Sequence, residues 1–416
     1  MRLDALVAEA RLQRARIVGD AGVEVSSLTH DSRSAGPGSL FACVRGTTTD
    51  GHDHAPAAIA AGAVALVTDR VLDVEVPQVV VDDVRGRLGL LADAFFGHPS
   101  RDLRVVGVTG TNGKTTTVAL LAAVFESHGW RTATIGTLTQ ARTTPEAPQL
   151  QARLAELRDA GVSTVAMEVS SHALVQQRVA AVAFDAAVFT NLTQDHLDYH
   201  GDMESYFEAK ARLFAPAVAA VAVINADDQW GQRLVERVEA SGRRPLLYRR
   251  SDAHDLEVGP AGSTFTWAGR RIRLKLGGRF NVDNALAAAT TAAALGVPVD
   301  DIAAGLSAAG VVRGRFQAID AGQDFTVIVD YAHTPDGLRQ ALSAARELTG
   351  GRLIVVFGAG GERDQAKRPL MGRVASALAD LVVVTSDNPR RENPQAIIDS
   401  IVTAATGPGA VEQVPD

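Results

Sequence analysis

A glycine-rich stretch around one lysine is the part of this sequence best suited to chemistry. Residues 105–117 are VVGVTGTNGKTTT, so an apolar strand pattern runs into glycines and then into a helical pattern. Such a loop presents backbone N–H groups and the positive end of a helix dipole to an anion. Lys114 adds a charge for terminal phosphates, and the Thr115 hydroxyl is a candidate Mg²⁺ ligand. The loop predicts a nucleoside triphosphate site, although Val108 replaces the first glycine of the full G-x-x-x-x-G-K-[ST] pattern.

Acidic and histidine side chains further along the chain are candidates for a metal site. Glu168 ends the apolar run TVAME, and ligands of open α/β sheets bind at the carboxyl ends of strands. Beside a phosphate loop this carboxylate is a plausible Mg²⁺ ligand, whereas by itself it is equally a solvated turn residue. His196 and His200 form an H-x-x-x-H pair that could suggest zinc, but Gly201 follows and no cysteine or third ligand accompanies them. The sequence favours Mg²⁺ with a nucleotide.

Lys210 lies on the apolar face of a predicted helix, which leaves two interpretations open. In SYFEAKARLF the apolar residues stand three and four positions on either side of the lysine: Tyr206, Phe207, Leu213 and Phe214. The ammonium group could extend past them to solvent. Alternatively, burial favours the neutral amine, which can react with carbon dioxide to give an anionic carbamate.

Two arginines near the C-terminal end are candidates for binding a carboxylate. Residues 387–390, DNPR, follow the strand pattern LVVVTS, and Arg363 in GGERD ends a neighbouring strand pattern. Arginine pairs with carboxylates through two parallel hydrogen bonds. An exposed loop arginine is also commonly just solvated, so composition does not decide between the two.

The elements that position these residues alternate between strands and helices. At 416 residues the chain predicts two or three domains, and Gly, Pro and charge clusters place boundaries near residues 101 and 314. Repeated βα units in the second domain predict a mostly parallel, doubly wound sheet. Period-two alternation from about residue 255 predicts antiparallel hairpins, and an Ala-rich helix follows at 281–295. In the third domain FTVIVDYA, RLIVVFGAGG and LVVVTSDN are predicted to share another open sheet.

Composition and charge limit the partners. The apolar fraction is 46% and the formal charge is −7, which gives no electrostatic footprint for nucleic acid or an anionic membrane. Cys43 is the single cysteine, so it is expected to be a small buried hydrophobe in a reducing compartment. The N-terminus lacks the apolar core of a signal peptide, and no apolar run approaches 18 residues. We expect a cytoplasmic monomer that binds small molecules.

Taken together, these motifs closely resemble those of the Mur ligases, the ATP-dependent amino-acid ligases of peptidoglycan synthesis. The resemblance runs from LTHDSRSAGPGSLFACVRG at Leu28 to VVTSDNPRRENPQAI near residue 397. It implies an α/β fold of three domains: a UDP-substrate domain at 1–100, a central P-loop ATPase domain at 101–313 and a Rossmann-like domain at 314–416. It also implies ATP and Mg²⁺ as cofactors and a UDP-MurNAc-L-Ala-D-Glu substrate.

The resemblance also implies roles for individual residues. The UDP substrate would be bound by His30, Ser32, Thr47, Thr48, Thr49, Thr143, Thr144, Ser170, Gln176 and Arg178. ATP would be bound by Gly110, Thr111, Asn112, Gly113, Lys114, Thr115, Thr116, Asn281, Asn284, Arg315, Asp330 and His333. The catalytic and metal-binding residues would be Lys114, Thr115, Glu168, His196 and Lys210, the last as a carbamate. Arg142 departs from the family, which usually has Asn at that position.

The amino acid to be added is implied by the loop motif. Within the family the Asp387, Asn388, Pro389, Arg390 form accompanies meso-diaminopimelate, and Arg363 would also contact it. L-Lysine, the other substrate considered, lacks the second carboxylate and would leave an arginine unpaired. Two further alternatives are a folylpolyglutamate synthetase-like ligase, which DSRSAGPGSLF and DNPR disfavour, and a nucleotide-binding protein that has lost ligation.

The C-terminal domain departs from the family pattern. The family continues through further helices and a Gly-Lys-Gly-His-Glu segment that contacts the added amino acid, whereas this sequence ends in EQVPD. We therefore expect an apparently incomplete third domain whose sheet exposes edges and apolar faces.

Overall fold

The computed structural model describes residues 1–46, 49–140, 142–362 and 364–415. By their contacts they form two compact units. Unit 1 comprises residues 1–107, 131–185 and 212–220, and unit 2 comprises 108–130, 186–211 and 221–416. The domain boundaries predicted near 101 and 314 remain predictions. No helix in the described ranges is both long and apolar enough to cross a membrane.

The N-terminal part of unit 1 is a mostly parallel sheet with helices. Its strands are β1 Arg16–Val18, β2 Ser27–Thr29, β3 Ser39–Ala42, β4 Ala63–Thr68 and β5 Gln78–Val80, in the order β1-β5-β4-β3-β2. β2 to β5 pair in parallel, and β1 is antiparallel to β5. The helices are α1 Leu3–Glu9, α2 Ala55–Ala60 and α3 Val84–Phe95. Leu3, Leu6, Leu40 and Leu91 are fully buried in one core, because strands covered by helices carry continuous apolar runs.

The central sheet places the phosphate loop after one of its inner strands. The strands are β6 Arg104–Thr109, β7 Thr132–Ile135, β8 Thr164–Glu168, β9 Phe184–Phe189, β10 Ala219–Asn225 and β11 Leu246–Tyr248, in the order β11-β10-β9-β6-β8-β7. β7 is parallel to β8, and β10 is parallel to β11. The helices are α4 Lys114–Ser127, α5 Ala147–Asp159, α6 Ser171–Val175, α7 Leu197–His200, α8 Met203–Ala211 and α9 Gln229–Ala240. The two pairings agree with the mostly parallel sheet predicted from the repeated βα units.

A hairpin sheet and two helices follow in unit 2. β12 His254–Val258, β13 Ser263–Trp267 and β14 Arg270–Leu274 form an antiparallel meander, which confirms the prediction from the period-two pattern. α10 Arg279–Ala294 and α11 Val299–Ala308 both pack against α4. The Ala-rich sequence of α10 permits this close packing, and most of its side chains are buried.

The C-terminal part differs from the prediction in one strand. β15 Gln317–Ile319 and β16 Val327–Val329 pair with each other in antiparallel fashion, so FTVIVDYA does not join the following sheet. The turn between them explains this, because Gly322 has φ +84° and its N–H donates to the Asp320 carboxylate, closing a local hairpin.

The following sheet contains a strand that was not predicted. β17 Ile354–Phe357, β18 Leu381–Thr385 and β19 Ala410–Val414 pair in parallel, with α12 Pro335–Leu348, α13 Lys367–Leu378 and α14 Pro394–Val402 between and before them. On β17, Ile354 and Val356 are 51% and 64% exposed.

Candidate active site

The phosphate loop connects β6 to α4 and is held open by its own and neighbouring backbone. Gly113, the N-cap of α4, has φ +86°, a left-handed conformation that favours glycine. The backbone N–H groups of Thr111 and Asn112 donate to the backbone and side-chain oxygens of Asn191, at 2.9 Å each. Lys114 Nζ donates to the carbonyl oxygens of Gly110 and Thr111, both at 2.8 Å. The lysine is therefore anchored at the loop that the sequence predicts to bind phosphates.

Lys210 lies directly beside this loop. Its side chain is 1% exposed, so it does not extend to solvent. Its Nζ donates to the Gly110 carbonyl at 2.8 Å, the same acceptor that Lys114 uses, and lies 4.6 Å from the centre of the Tyr206 ring. Burial, followed by the charge of Lys114, holds the pKa of Lys210 well below its usual value, against the opposing charge of Asp195. These surroundings favour the neutral amine that carbamate formation requires.

His196 lies near Lys210, with Asp195 and Tyr206 as its neighbours. His196 has φ +54° and its Nε2 lies 3.3 Å from the Asp195 carboxylate. Its ring approaches Tyr206 edge-on, and the Tyr206 hydroxyl lies 3.2 Å from the Thr111 hydroxyl. Among the described residues no group of three His, Cys, Asp or Glu side chains could hold a metal ion.

Glu168, in unit 1, ends β8 in a close-fitting backbone pocket. The carboxylate accepts the Thr137 N–H at 2.8 Å and the Thr137 hydroxyl at 3.3 Å, and the side chain is 2% exposed. A Cβ on Gly136 would come within 2.3 Å of the Glu168 Oε1, so a larger residue there would have to displace the Glu168 side chain. A fixed carboxylate at a strand end suits the oxygen-ligand preference of Mg²⁺.

The residues predicted to bind the muramoyl dipeptide form one hydrogen-bonded network after β8. The Thr144 hydroxyl donates to the Glu168 carbonyl at 2.9 Å and accepts the Ser170 N–H at 3.1 Å. Arg178 donates to the Thr144 carbonyl at 3.0 Å and to the Gln176 side-chain oxygen at 2.6 Å. Thr143 joins through a 3.1 Å contact with the Thr137 hydroxyl. The network brings these predicted residues together with Glu168.

The residues predicted to bind the UDP group are described in part. His30 follows β2, its Nδ1 is buried without a hydrogen-bond partner among the described residues, and burial lowers its pKa. Ser32 begins a 3₁₀ turn that is capped by the Asp31 carboxylate. The Thr49 carbonyl accepts the Gly46 N–H at 2.9 Å. Thr47 and Thr48 lie outside the described residues.

The predicted adenine-binding residues buttress the phosphate loop. Asn281 is fully buried and donates to the Gly277 carbonyl at 2.8 Å, while Asn284 donates to the Asn281 side-chain oxygen at 3.1 Å. The Asn284 oxygen accepts from the Thr117 hydroxyl on α4 at 3.4 Å. Asn284 therefore links α10 to α4, and Asn281 holds the Asn284 side chain in place.

The nucleotide contacts predicted after residue 314 lie close to α4. Arg315 donates to the Thr115 hydroxyl at 3.0 Å and its guanidinium lies 4.7 Å from the Tyr331 ring centre. Asp330 accepts the Phe316 N–H at 2.7 Å, and burial raises its pKa. Burial lowers the pKa of His333, which favours the neutral ring. The Arg315 contact places one cationic side chain of the C-terminal part next to the phosphate-loop helix.

The 387–390 motif follows β18, and its arginine contacts the segment that follows β17. Arg390 donates to the Gly361 carbonyl, and Gly361 N–H donates to the Asn388 carbonyl at 3.1 Å. Asp387, Asn388 and Arg390 are exposed. Arg363 lies outside the described residues.

Comparison with known proteins identifies the family. Three family models match in chain order: Mur ligase family, catalytic domain at residues 24–96; Mur ligase middle domain at 108–292; and Mur ligase, glutamate ligase domain at 314–416. The chain belongs to the Mur ligase family. The Mur ligase resemblance predicted from the sequence, including its α/β architecture of three domains, is confirmed.

Relatives of this Mur ligase cover nearly the whole chain. The UDP-N-acetylmuramoyl-L-alanyl-D-glutamate–2,6-diaminopimelate ligase of Gloeobacter violaceus is 46% identical over 97% of this chain and 85% of its own. That of Streptomyces avermitilis is 44% identical over 96% of this chain and 83% of its own. A solved structure of a protein with this name has a TM-score of 0.72 at 32% identity and covers 100% of this chain and 89% of its own.

A folylpolyglutamate synthase from Mycobacterium tuberculosis has a similar fold. Its TM-score is 0.62 at 20% identity, over 78% of this Mur ligase chain and 84% of its own. At that identity the likeness shows the fold alone, so it adds no support to the folylpolyglutamate alternative.

Two acidic residues of this Mur ligase site were missed by the sequence analysis. Asp195 lies next to His196 and its charge opposes the low pKa of Lys210, while Glu146 pairs with Arg178 at 2.9 Å and Arg142 at 3.2 Å. An acid adjacent to a singled-out histidine or arginine was the available signal. Arg142, the departure from the family pattern, is therefore paired within this site.

Proposed function

We propose that this Mur ligase joins meso-diaminopimelate to the D-Glu side-chain carboxylate of UDP-MurNAc-L-Ala-D-Glu, with ATP as the energy source. The observation that carries the proposal is the 42–46% identity to 2,6-diaminopimelate ligases over 90–97% of this chain. The exposed Arg390 in its DNPR motif supports the choice of amino acid, since a second substrate carboxylate can pair with it. With L-lysine that arginine would lack a partner.

The first chemical step activates the D-Glu carboxylate. One carboxylate oxygen attacks the γ-phosphorus of ATP, and the bond from that phosphorus to the β–γ bridging oxygen breaks. The products are ADP and an acyl phosphate on the D-Glu side chain. Lys114, anchored at the Gly110 and Thr111 carbonyls, would exchange these contacts for phosphate oxygens and stabilise their charge. The phosphate loop thus supplies both backbone donors and a cation.

The proposal includes a divalent metal, for which a carbamate on Lys210 would add an oxygen donor beside the phosphate loop. By the family resemblance Thr115, His196 and this carbamate would hold Mg²⁺, with Glu168 as a further ligand, and the ion would neutralise charge on the phosphate oxygens. Lys210 supports this role because its low pKa supplies the neutral amine that reacts with carbon dioxide. The neutral amine forms an N–C bond to carbon dioxide and releases one proton, so a buried neutral group becomes an anion.

The second step forms the peptide bond. The neutral amine of diaminopimelate attacks the acyl carbon, and the tetrahedral intermediate collapses with loss of inorganic phosphate and a proton. The network of Thr144, Ser170 and Arg178 would orient the dipeptide end of the UDP substrate beside Glu168. We expect the reaction to take place in the cytoplasm, with the enzyme as a monomer.

The proposal is tested by phosphate release with ATP, Mg²⁺ and UDP-MurNAc-L-Ala-D-Glu. Diaminopimelate, L-lysine and no amino acid are compared, and mass spectrometry identifies the products. We expect a UDP-MurNAc-tripeptide with diaminopimelate and none with L-lysine. Nucleotide binding without a tripeptide from either amino acid would contradict the proposal and favour the ligation-deficient alternative.

A further inference from the structure

The loops after β17 and β18 are in close contact through their backbones. A Cβ on Gly361 would lie 1.9 Å from the Pro389 carbonyl oxygen, so the two backbones touch. Besides the contacts already described, Glu392 N–H donates to the Pro389 carbonyl at 3.0 Å. The 358–362 segment and the 386–393 loop are therefore in direct backbone contact, and the loop has an internal hydrogen bond of its own.

Three non-glycine residues of these loops adopt left-handed backbone conformations. Glu362, Asn388 and Arg390 have φ values of 51°, 37° and 53°. Such conformations are unfavourable for Glu and Arg, though tolerated by Asn, and they persist where surrounding structure fixes them. Tertiary contacts must therefore hold the backbone that presents the Arg390 side chain.

Glu392 supplies the strongest of these contacts. Its carboxylate accepts the Glu362 N–H and both terminal nitrogens of Arg368, each of the latter at 2.9 Å. Arg368, in the first turn of α13, has a side chain that is 5% exposed and also donates to the Gly360 carbonyl at 3.4 Å. The hydrogen bond from Arg368 lowers the pKa of Glu392 to about 2, so the carboxylate is charged at neutral pH.

This arrangement joins three elements at the carboxyl ends of β17 and β18. One carboxylate ties the segment after β17, the loop after β18 and the start of α13. Arg390 itself commits one donor to the Gly361 carbonyl, and a guanidinium has five donors with which to bind further groups. Its placement for a bidentate carboxylate therefore depends on where Gly361 and Pro389 are held.

We propose that Glu392, fixed by Arg368, is a positioning residue that aligns Arg390 for the second carboxylate of the incoming diaminodicarboxylic acid and so sets selectivity over lysine. The inference rests on the proposed function, since it concerns the amino-acid site of that reaction. Glu392 is not a catalytic residue, because it acts through Arg390 and the backbone of Gly361.

The same sheet offers a matched control at its opposite end. The Asp380 carboxylate also accepts from one arginine, Arg346 at 2.8 Å, and from one backbone N–H, that of Leu353 at 2.7 Å. Leu353 and Asp380 directly precede β17 and β18, so this pair lies at the amino ends of the strands. Asp380→Asn removes an equivalent ion pair without touching the Arg390 loop.

The experiment compares wild type, Glu392→Gln, Glu392→Asp and Asp380→Asn. For each protein the KM for meso-diaminopimelate, ATP and the UDP substrate, the kcat and the melting temperature are measured. We expect Glu392→Gln to raise the KM for diaminopimelate about tenfold and to reduce selectivity over lysine, as loss of a charge-assisted hydrogen bond would. The KM for ATP and the UDP substrate should stay within about twofold of wild type, and Glu392→Asp should partly restore the KM for diaminopimelate.

The outcomes separate this inference from the proposed function. A wild type that forms no diaminopimelate-containing tripeptide contradicts the proposed function. A wild type that does, with Glu392→Gln no different from Asp380→Asn in the KM for diaminopimelate, overturns the positioning role alone. Failure of both Glu392 variants to fold would assign the pair to stability and would also overturn it.

Discussion

At the scale of single residues, Lys210 is the side chain whose surroundings differ most from those of an ordinary lysine. It is buried, it shares the Gly110 carbonyl with Lys114, and Asp195 provides the opposing charge. A second full positive charge so close to Lys114 is unfavourable, and conversion to a carbamate removes it.

Replacing Lys210 by arginine tests this chemistry. Arginine stays charged and cannot form the carbamate, so we expect Lys210→Arg to lower kcat for tripeptide formation by roughly 100-fold or more. Phosphate release measures the loss, and ¹³C-bicarbonate should give a carbamate signal in wild type that disappears in the variant. Lys275→Arg, at an exposed position, is the control. Full activity of Lys210→Arg would exclude the carbamate.

The sequence was sufficient to single out Lys210 but did not decide whether its amino group is buried or extends to solvent. The i±3 and i±4 apolar neighbours placed it on a buried face, yet the same pattern fits a lysine that extends to solvent. The decision comes from Gly110, which lies 100 positions away in sequence and accepts the hydrogen bond from its Nζ. Asp195 was missed for the same reason, because its effect depends on contacts across the fold.

At the scale of elements, the junction of β6 with α4 depends on α10. A Cβ on Gly113 would lie 2.3 Å from the Asn284 side-chain oxygen, in addition to the left-handed φ of +86°. The phosphate loop and the Ala-rich helix therefore have to fit each other as well as the nucleotide.

Gly113→Ala should therefore weaken nucleotide binding. We expect at least a tenfold rise in the Kd for ADP, measured by isothermal titration calorimetry, because the loop must move away from Asn284. Gly129→Ala is the matched control, since Gly129 follows the other end of α4 with φ +87° and has nothing within 4 Å of the added Cβ. If both substitutions raised the Kd for ADP equally, the contact with Asn284 would not be the cause, and backbone strain would explain the loss of binding.

His98 links two helices of unit 1 and should make their stability depend on pH. Its Nδ1 lies 2.6 Å from Asp93 in α3 and its Nε2 lies 2.9 Å from Glu9 in α1, so the hydrogen bond from Asp93, then that from Glu9, raises the pKa of His98. A raised pKa in the folded state means that the stabilisation is complete below the unfolded value of about 6.5 and is lost as the pH rises through the folded value.

We therefore expect His98→Gln to lower the melting temperature at pH 5.5 and to have a smaller effect at pH 9. Thermal unfolding at both pH values measures this difference. His254→Gln, at an exposed histidine, should show no such pH dependence. A loss of stability for His98→Gln that is equal at both pH values would contradict the charged role of the imidazole.

At the scale of the whole molecule, Arg315 connects parts of unit 2 that match different family models. It belongs to the match of the glutamate ligase domain, and it donates to Thr115 in the match of the middle domain. The hydroxyl predicted to contact Mg²⁺ thus already has a cationic neighbour, which can turn to phosphate oxygens when a nucleotide binds.

Arg315→Ala should raise the KM for ATP about tenfold, because a charge-assisted contact to the phosphates would be lost. Arg313→Ala is the control, since Arg313 is exposed two positions upstream. Steady-state kinetics with varied ATP would show the difference. An unchanged KM for ATP in Arg315→Ala would remove Arg315 from the nucleotide site.

The sequence predicted the overall α/β architecture better than it predicted which strands pair with each other. The βα alternation predicted the parallel sheets, but β16 pairs with β15 because the Gly322 turn lets a strand fold back on its chain neighbour. β19 escaped prediction because AVEQV is short and four of its five residues are exposed. Pairings with a distant partner depend on tertiary contacts that local patterns do not contain.

The contact of Gly361 with the Pro389 carbonyl has a consequence for transplanting substrate preference between members of the family. Any side chain at position 361 would collide with the backbone of the motif loop. A chimera that exchanges only residues 386–393 would place the new motif against a 358–362 segment from a different protein. Exchanging the 358–362 segment together with residues 386–393 keeps the contact between Gly361 and Pro389 intact. We therefore expect the two segments to be the smallest unit that transfers the preference.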